Sequence, residues 1–473
     1  MHFQEHGLRI QEGSSNVQPE PVDDEHNISR AQDQVLVASS PSEEDRQPPE
    51  ADAEQLLAFL INPSIELGLG RNLEIQTSAS SSGSTVVDSD EDNHEHDGPP
   101  KPDWSQLPDM ATIEIFGFLD EPDRMSIART CKKWSQLVHT GALWRFQQYN
   151  LGQPGIDVKI LGYAERHAKH LRYLVLDCSH PLYNSTKRIQ KCMTTFFAQL
   201  HKKTKLRHFL MTELRMDRYW RYEISKSRFL TSLNRLLRNQ RRLTKFDMTR
   251  AQVSMTNGFK ILESLGTGSG AVLTYLDIQD FFHSRQAVHL MLSFPAIIDK
   301  FVNLRRLFIN YNCLSDDIVS QIARNSKHRL NYIAVKVYKN DPHYHRIPAR
   351  IWQQLVHFCP NIRIHFEFDH MSRYYDICPI VVQGMPLHGI QIWSGYEMDD
   401  QDSVLFVFTF LELAVLEFDN HDFFFDEELV TLVERCKKLK VLDVNSTLLV
   451  PTVERICKLQ QEGKIGRISR STE

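Results

Sequence analysis

Glycine, histidine and cysteine form the few patterns in this sequence that could carry chemistry. Gly266-x-Gly268-x-Gly270 has the residue type of a phosphate-cradling loop, where the missing side chains let backbone N–H groups approach an anion. It lacks the third spacing of a dinucleotide loop and any following Lys-Ser/Thr, and it precedes a strand-like run instead of following one, so it reads as a turn. His343 and His345 could share one strand face as metal ligands, but spacing supplies no third ligand and Pro342 points to a loop. Eight cysteines include no Cys-x-x-Cys pair, which argues against zinc and fits a reducing compartment, cytoplasm or nucleus. The sequence has no His-Glu-x-x-His and no serine elbow. The expectation is a binding protein without a cofactor, not an enzyme.

Charge marks the candidate binding regions. Residues 1–100 hold 4 Lys/Arg against 21 Asp/Glu, a net charge of −17, and the remaining residues carry +12. The acidic stretch has too few apolar residues to repay the entropy of ordering and is expected to be a disordered tail. Ala53–Leu60 reads as a turn or two of amphipathic helix within it. In Ser84–Asp92, Val86-Val87 is followed by a run of acids, a pattern similar to motifs that add as a strand to the small ubiquitin-like modifier. The plain alternative is a valine pair arising by chance in an acidic tail. Lys187–Arg250 is the counterpart, with 18 Lys/Arg and 4 Asp/Glu. It has three readings: a solvated helical face, a dock for the acidic tail or an acidic target, or, least favoured, a nucleic-acid surface. The longest apolar run, Val404–Phe418, is broken by Glu412 and Glu417, so no membrane span is expected.

The element that must position partners is Trp104–Trp144. Pro108 starts a helix carrying Ile113, Ile115, Phe116, Phe118 and Leu119; Pro122 starts a second with Met125, Ile127 and Ala128; Cys131, Trp134, Leu137 and Val138 form a third apolar stripe. About forty residues are too few for a substantial core, so such a module should bury part of its surface in a partner.

Leu107-Pro108, Ile115-Phe116, Leu119, Cys131-Lys132-Lys133-Trp134 and Leu143-Trp144, in that order, resemble the F-box, the helical module that grips the Skp adaptor of cullin-type ubiquitin ligases. Met110, Arg124 and Thr130 depart from its pattern, where acidic, leucine and valine residues are common. The resemblance implies adaptor contacts at Leu107, Pro108, Ile115, Phe116 and Leu119, with Cys131, Trp134 and Trp144 packing the module.

Beyond the module, Leu-x-x-Leu-x-Leu begins at Leu171, Leu206, Leu243, Leu273, Leu304, Leu330, Leu387, Leu413 and Leu439, with a degenerate copy at Ile362–Phe368. Starts lie 25 to 37 residues apart, and Ser315 and Asp426 are placed to cap following helices. The predicted fold class is α/β: an irregular leucine-rich-repeat solenoid with parallel strands over residues 151–473, after a tail at 1–100 and a three-helix module at 101–150. Cys359 and Cys436 resemble the cysteine-containing repeats often joined to F-boxes, and an F-box followed by irregular repeats, with residues 310–316 in the middle, is similar over about residues 104–460 to the F-box only protein thirty-nine family.

In an arc of such repeats, the second, fourth and sixth positions after each starting leucine line the strand face. They include Asp177, Asp247, Asp277, Glu417, Asp419 and Asp443, with Tyr173, Tyr275, Tyr332, Lys245, Arg306 and Lys336. The face is expected to lean acidic and aromatic; Asp177, Asp247, Asp277, Tyr275, Tyr332, Glu417, Asp419 and Asp443 are its candidate target contacts. The resemblance implies a substrate receptor of a Skp–cullin–F-box ligase, with an F-box scaffold outside a ligase as the alternative.

Overall fold

The computed structural model describes residues 104–473, apart from 180–185, 221, 284–285, 343–344, 370–373, 378, 383, 395–412, 419–425, 446–447 and 471–473. The acidic tail with Ala53–Leu60 and the Val86-Val87 pair, as well as His343 and Asp419, lie outside the described residues.

Among the described residues, three short α-helices come first: α1 (Asp109–Gly117), α2 (Glu121–Ile127) and α3 (Lys132–Val138). Asp120 caps α2 by accepting from Asp123 N at 2.9 Å, and Pro122 occupies its first turn, where the missing N–H costs nothing. Cys131 caps α3: its sulfur accepts from Trp134 N at 3.4 Å, and the residue is exposed instead of packed within the module. Trp144 is fully buried and donates from its indole to Val138 O at 2.7 Å.

Among the described residues, twelve strands follow in one parallel sheet whose spatial order is their chain order. They are β1 (Phe146–Asn150), β2 (Tyr173–Asp177), β3 (His208–Thr212), β4 (Lys245–Asp247), β5 (Tyr275–Asp277), β6 (Arg306–Asn310), β7 (Tyr332–Tyr338), β8 (Arg363–Asp369), β9 (Leu387–Ser394), β10 (Leu413–Phe418), β11 (Val441–Asn445) and β12 (Arg467–Arg470). The helices between them include α4 (Ile156–Arg166), α5 (Thr186–Lys203), α6 (Glu223–Asn239), α7 (Met255–Ser269), α8 (Ser293–Ile298), α9 (Asp316–Asn325), α10 (Ala349–Phe358), α11 (Asp426–Arg435) and α12 (Val450–Gln461). This is the expected α/β solenoid, one strand and usually one helix per unit.

The repeat leucines explain the order. Leu171, Leu206, Leu243, Leu273, Leu304, Leu330 and Leu439 are buried, and each strand they announce begins two residues later. Within β6, Leu307 and Ile309 turn to the helices while Arg306 and Phe308 turn away, as the period of two demands. Each fully buried leucine contributes about 2 kcal/mol, and no unit could bury its own without a neighbour. Ser315 caps α9, accepting from Ile318 N at 3.3 Å, and Ile318, Val319, Ile322 and Ala323 face the core. Asp426 instead begins its helix, and its carboxylate accepts from Leu449 N in the next unit at 2.8 Å.

Two strands have no leucine signal. β1 lies at the end of the stretch expected to be module alone, and pairs with β2, so the helical module runs directly into the sheet. β12 closes the other end. The glycine pattern is a correction: Gly266 and Gly268 lie within α7 and Gly270 caps it in ordinary helical geometry. The glycines are there for close approach. A Cβ on Gly268 would stand 2.2 Å from Leu237 O, at the end of α6.

Gly268→Ala is therefore expected to lower stability by about 1–3 kcal/mol through overpacking. Gly117→Ala, whose added carbon meets nothing within 4 Å, should leave it nearly unchanged; thermal unfolding of the pair checks the contrast.

Candidate protein-interaction surfaces

Helix α1 is apolar nearly all the way round, DMATIEIFG, yet only Thr112 and Phe116 are buried. Phe116, 3% exposed, packs edge-on to Trp134 at 5.5 Å, so of the expected contacts it is the one turned inward. Ile115 is 43% exposed, Leu107 and Leu119 are half-buried, and Pro108 is exposed. Met110 and Phe118, at 71% and 86%, complete an outward apolar face. Phe118 stood in the apolar stripe of the sequence but was not counted a contact. Helical periodicity gives spacing on α1; it does not tell which of two apolar faces the neighbours cover.

Arg124, a departure from the F-box pattern, has its own role. Its guanidinium donates to Phe116 O at 3.0 Å, Gly117 O at 2.9 Å and Leu143 O at 2.8 Å. It thus ties the end of α1 to the segment before the sheet. Lys133 reaches back to Leu107 O at 2.9 Å, fixing the Leu107-Pro108 corner.

The strand face sorts its residues into rows. Strand register aligns Tyr173, His208, Lys245 and Tyr275, and then Arg306, Tyr332 and Arg363, into one row at the strand starts. The rings touch: Tyr173 meets His208 edge-on at 4.8 Å, Lys245 Nζ lies 4.2 Å over the Tyr275 ring, and Phe308 lies 5.0 Å from Tyr275 and 5.5 Å from Tyr332. Burial, with Lys245 and Arg207 nearby, pushes the His208 imidazole down to about 4, so it is neutral at physiological pH.

The acids expected to receive a target are occupied in their own turns. Asp177 accepts from Ser179 N at 2.9 Å, Asp247 from Thr249 N at 3.0 Å, and Asp277 from Gln279 N at 3.1 Å, the same Asx turn closing three strands. Asp247 and Asp277 are register partners and both buried. Burial raises both carboxyl groups above the ordinary range, and for Asp277 the charge of Asp247 adds to it. Lys336 is buried among Glu367 at 3.0 Å, Asp280 at 3.5 Å and Asp369 at 3.7 Å; burial alone would lower its pKa, and Asp280 and Glu367 instead raise it. Asp443 is half-buried beside Val415, and the Glu417 side chain is not described. Asp177, Asp247 and Asp277 thus each serve a turn of their own strand, and the first row of the face is cationic and aromatic.

At the far ends of the same strands an open pocket of about 520 Å³ has Arg215, Arg218 and Arg250 together with Asp280, Asp341 and Asp369 in its lining. Five non-glycine residues around it, Glu213, Arg215, Arg250, Gln252 and Asp280, have φ between 38° and 57°, a left-handed conformation that costs most side chains about a kcal/mol or more. Glu213 holds Arg215 at 2.7 Å and Arg250 at 2.5 Å. Of the candidate histidine pair, His345 stacks against the rings of His289 at 3.8 Å and Tyr311 at 4.8 Å.

A family model described as F-box-like matches residues 104–147. The chain is similar to F-box/LRR-repeat protein 21 of Ovis aries and of Mus musculus, each 22% identical over 279 residues, covering 56% of this chain and 60% of the relative. The chain thus spans less than two thirds of the length of these relatives. Solved structures that overlap it include the yeast Rad7 and Elc1 complex, at 13% identity and TM-score 0.32, covering 72% of this chain and 89% of that one. The leucine-rich repeat-containing protein LegL7 from Legionella pneumophila overlaps at 13% and 0.33, covering 68% and 90%. The family model and the curated relatives carry the F-box and repeat character, and not the narrower likeness to the F-box only protein thirty-nine family.

Removing the Arg124 staple is expected to cost about 2–3 kcal/mol, since three carbonyls lose a charged donor. Arg124→Ala should expose residues 104–145 to limited proteolysis before the sheet. The raised carboxyls set a pH dependence. Their stabilising contribution is full below the ordinary carboxylate range and is lost as pH rises through the raised one. Asp277→Asn should therefore match the parent's unfolding temperature near about pH 4 and exceed it near about pH 7, as thermal unfolding across that range would read.

Proposed function

We propose that the chain, in which an F-box-like domain at residues 104–147 leads directly into a leucine-rich-repeat-type sheet, is the substrate-recognition subunit of a Skp–cullin–F-box ubiquitin ligase. The observation that carries this reading is the outward face of α1. Met110 and Ile115 on the helix and Phe118 at its C-terminal cap stand exposed, large apolar side chains of the kind expected of a surface that a partner covers. Leu107, Pro108 and Leu119 border it, and the contact set we propose exchanges Phe116 for Phe118. The Skp adaptor binds there, cullin joins through the adaptor, and the sheet holds the target. Ubiquitin transfer then needs no catalytic residue from this chain. The thioester enzyme supplies the chemistry, and the receptor supplies proximity, converting a bimolecular encounter into a local one.

Interface energy concentrates in a few buried anchors, so charge placed on two of them should lower adaptor affinity by at least about a hundredfold. Full-length protein is compared with its Ile115→Glu/Phe118→Glu and Leu107→Ala/Pro108→Ala variants by co-purification from cells and mass spectrometry. Adaptor and cullin should both be lost from the variants while other partners remain, and those become the candidate targets. Adaptor recovered without cullin would make the chain an F-box scaffold outside a ligase. Adaptor retained by both variants would refute the docking face.

A further inference from the structure

The edge of the sheet where the strands begin is a line of positive charge. One position per unit joins neighbours through the backbone: Arg172 N donates to Arg145 O at 2.8 Å, Arg207 N to Arg172 O at 2.7 Å, and Thr244 N to Arg207 O at 2.7 Å. Arg145, Arg172 and Arg207 are therefore stacked one strand spacing apart, about 4.8 Å. Further along, Arg305 N continues the ladder to Thr274 O. The Arg172 guanidinium is satisfied by two carbonyls, Lys169 O at 3.0 Å and Leu171 O at 2.8 Å, and not by an acid. Its pKa is lowered by burial first, and then by Arg145, Arg207 and Arg242. Among the described residues, Arg145, Arg172, Arg242, Arg306 and Arg363 form no ion pair.

Directly beside this edge runs the row of Tyr173, Tyr275 and Tyr332 with Lys245, Arg306 and Arg363. A run of charge that merely solvates a surface has no need to place arginines on adjacent rungs, where like charges repel, beside a row of rings. Arg and Tyr together are instead the composition of protein-binding hot spots. The rings are also poorly disposed to stack with nucleobases, because Tyr275 lies beneath Lys245 and against Phe308, and Tyr332 against Phe308. Of the nearby acids, Asp247 and Asp277 close turns and Glu367 lies against Lys336.

We infer that this strip, from Arg145 across to Arg363, binds an extended acidic segment of a partner protein, with carboxylates on the arginines and intervening aromatic or aliphatic side chains against the ring edges of the tyrosine row. Seven strand spacings give roughly 34 Å, room for about ten extended residues. This deepens the receptor reading and rests on it for calling that partner the target.

The test uses the purified full-length chain and a fluorescent peptide of roughly four Glu-Tyr-Glu repeats, followed by anisotropy at low and high salt. Saturable binding that weakens with salt is expected, with at least about a tenfold loss in Arg306→Glu/Arg363→Glu, two exposed positions. A Lys-Tyr-Lys peptide of equal length should not bind the parent protein, which keeps the result readable if the variant unfolds. No binding, equal binding of both peptides, or binding of oligo-uridine in place of the acidic peptide would each overturn the inference. Adaptor recovery is scored on the same preparations. Peptide binding without adaptor leaves the strip standing and removes the receptor reading; adaptor without peptide binding does the reverse.

Discussion

A single strand and helix cannot hide their own leucines, and the rest of this molecule follows from that shortage. Leu307 and Ile309 reach full burial only because β5 and β7 hydrogen-bond on either side and the helices close over them. The parallel ladder is the means: every strand offers one row of donors and acceptors to the unit before it and one to the unit after. Since the helices cover one side of the sheet, the opposite side is left to whatever residues the leucine pattern does not constrain. Function has room there because folding makes few demands on it.

That division explains what the sequence disclosed. The buried half of the pattern was legible, since leucines at fixed intervals have one physical use, and the strands they announce stand where the spacing puts them. β1, with Phe146-Gln-Gln-Tyr-Asn, and β12 were not legible, because end strands have only one neighbour and need fewer apolar residues. Gly266, Gly268 and Gly270 looked like a turn because glycine lowers helix propensity; tertiary contact overrode it, as only a missing Cβ lets α7 approach the end of α6.

The exposed half was legible as a set of positions and not as chemistry. Tyr275 and Asp277 were both placed on the strand face, yet one lies in a cationic and aromatic row and the other spends its carboxylate on Gln279 N. Telling them apart requires register across strands 30 residues apart in sequence. Phe116 and Phe118 present the same difficulty in miniature: they stand two positions apart, and only the packing of Trp134 decides which is inside.

The junction between module and sheet is stiff. Trp144 stacks on His167 with ring centres 3.9 Å apart and planes 4° from parallel, Tyr163 donates to Trp144 O at 2.6 Å, and β1 begins two residues later. No linker intervenes, so the first helices and the strands move as a single lever. In such a lever, distance along the sheet is counted in whole rungs, each adding about 4.8 Å and about 20° of twist. Gaining or losing one repeat between α1 and a bound molecule would therefore swing that molecule through a fixed step and turn, as moving one tooth on a gear does. Repeat number becomes a discrete dial for orientation, adjustable by duplication of a unit without altering any contact at either end.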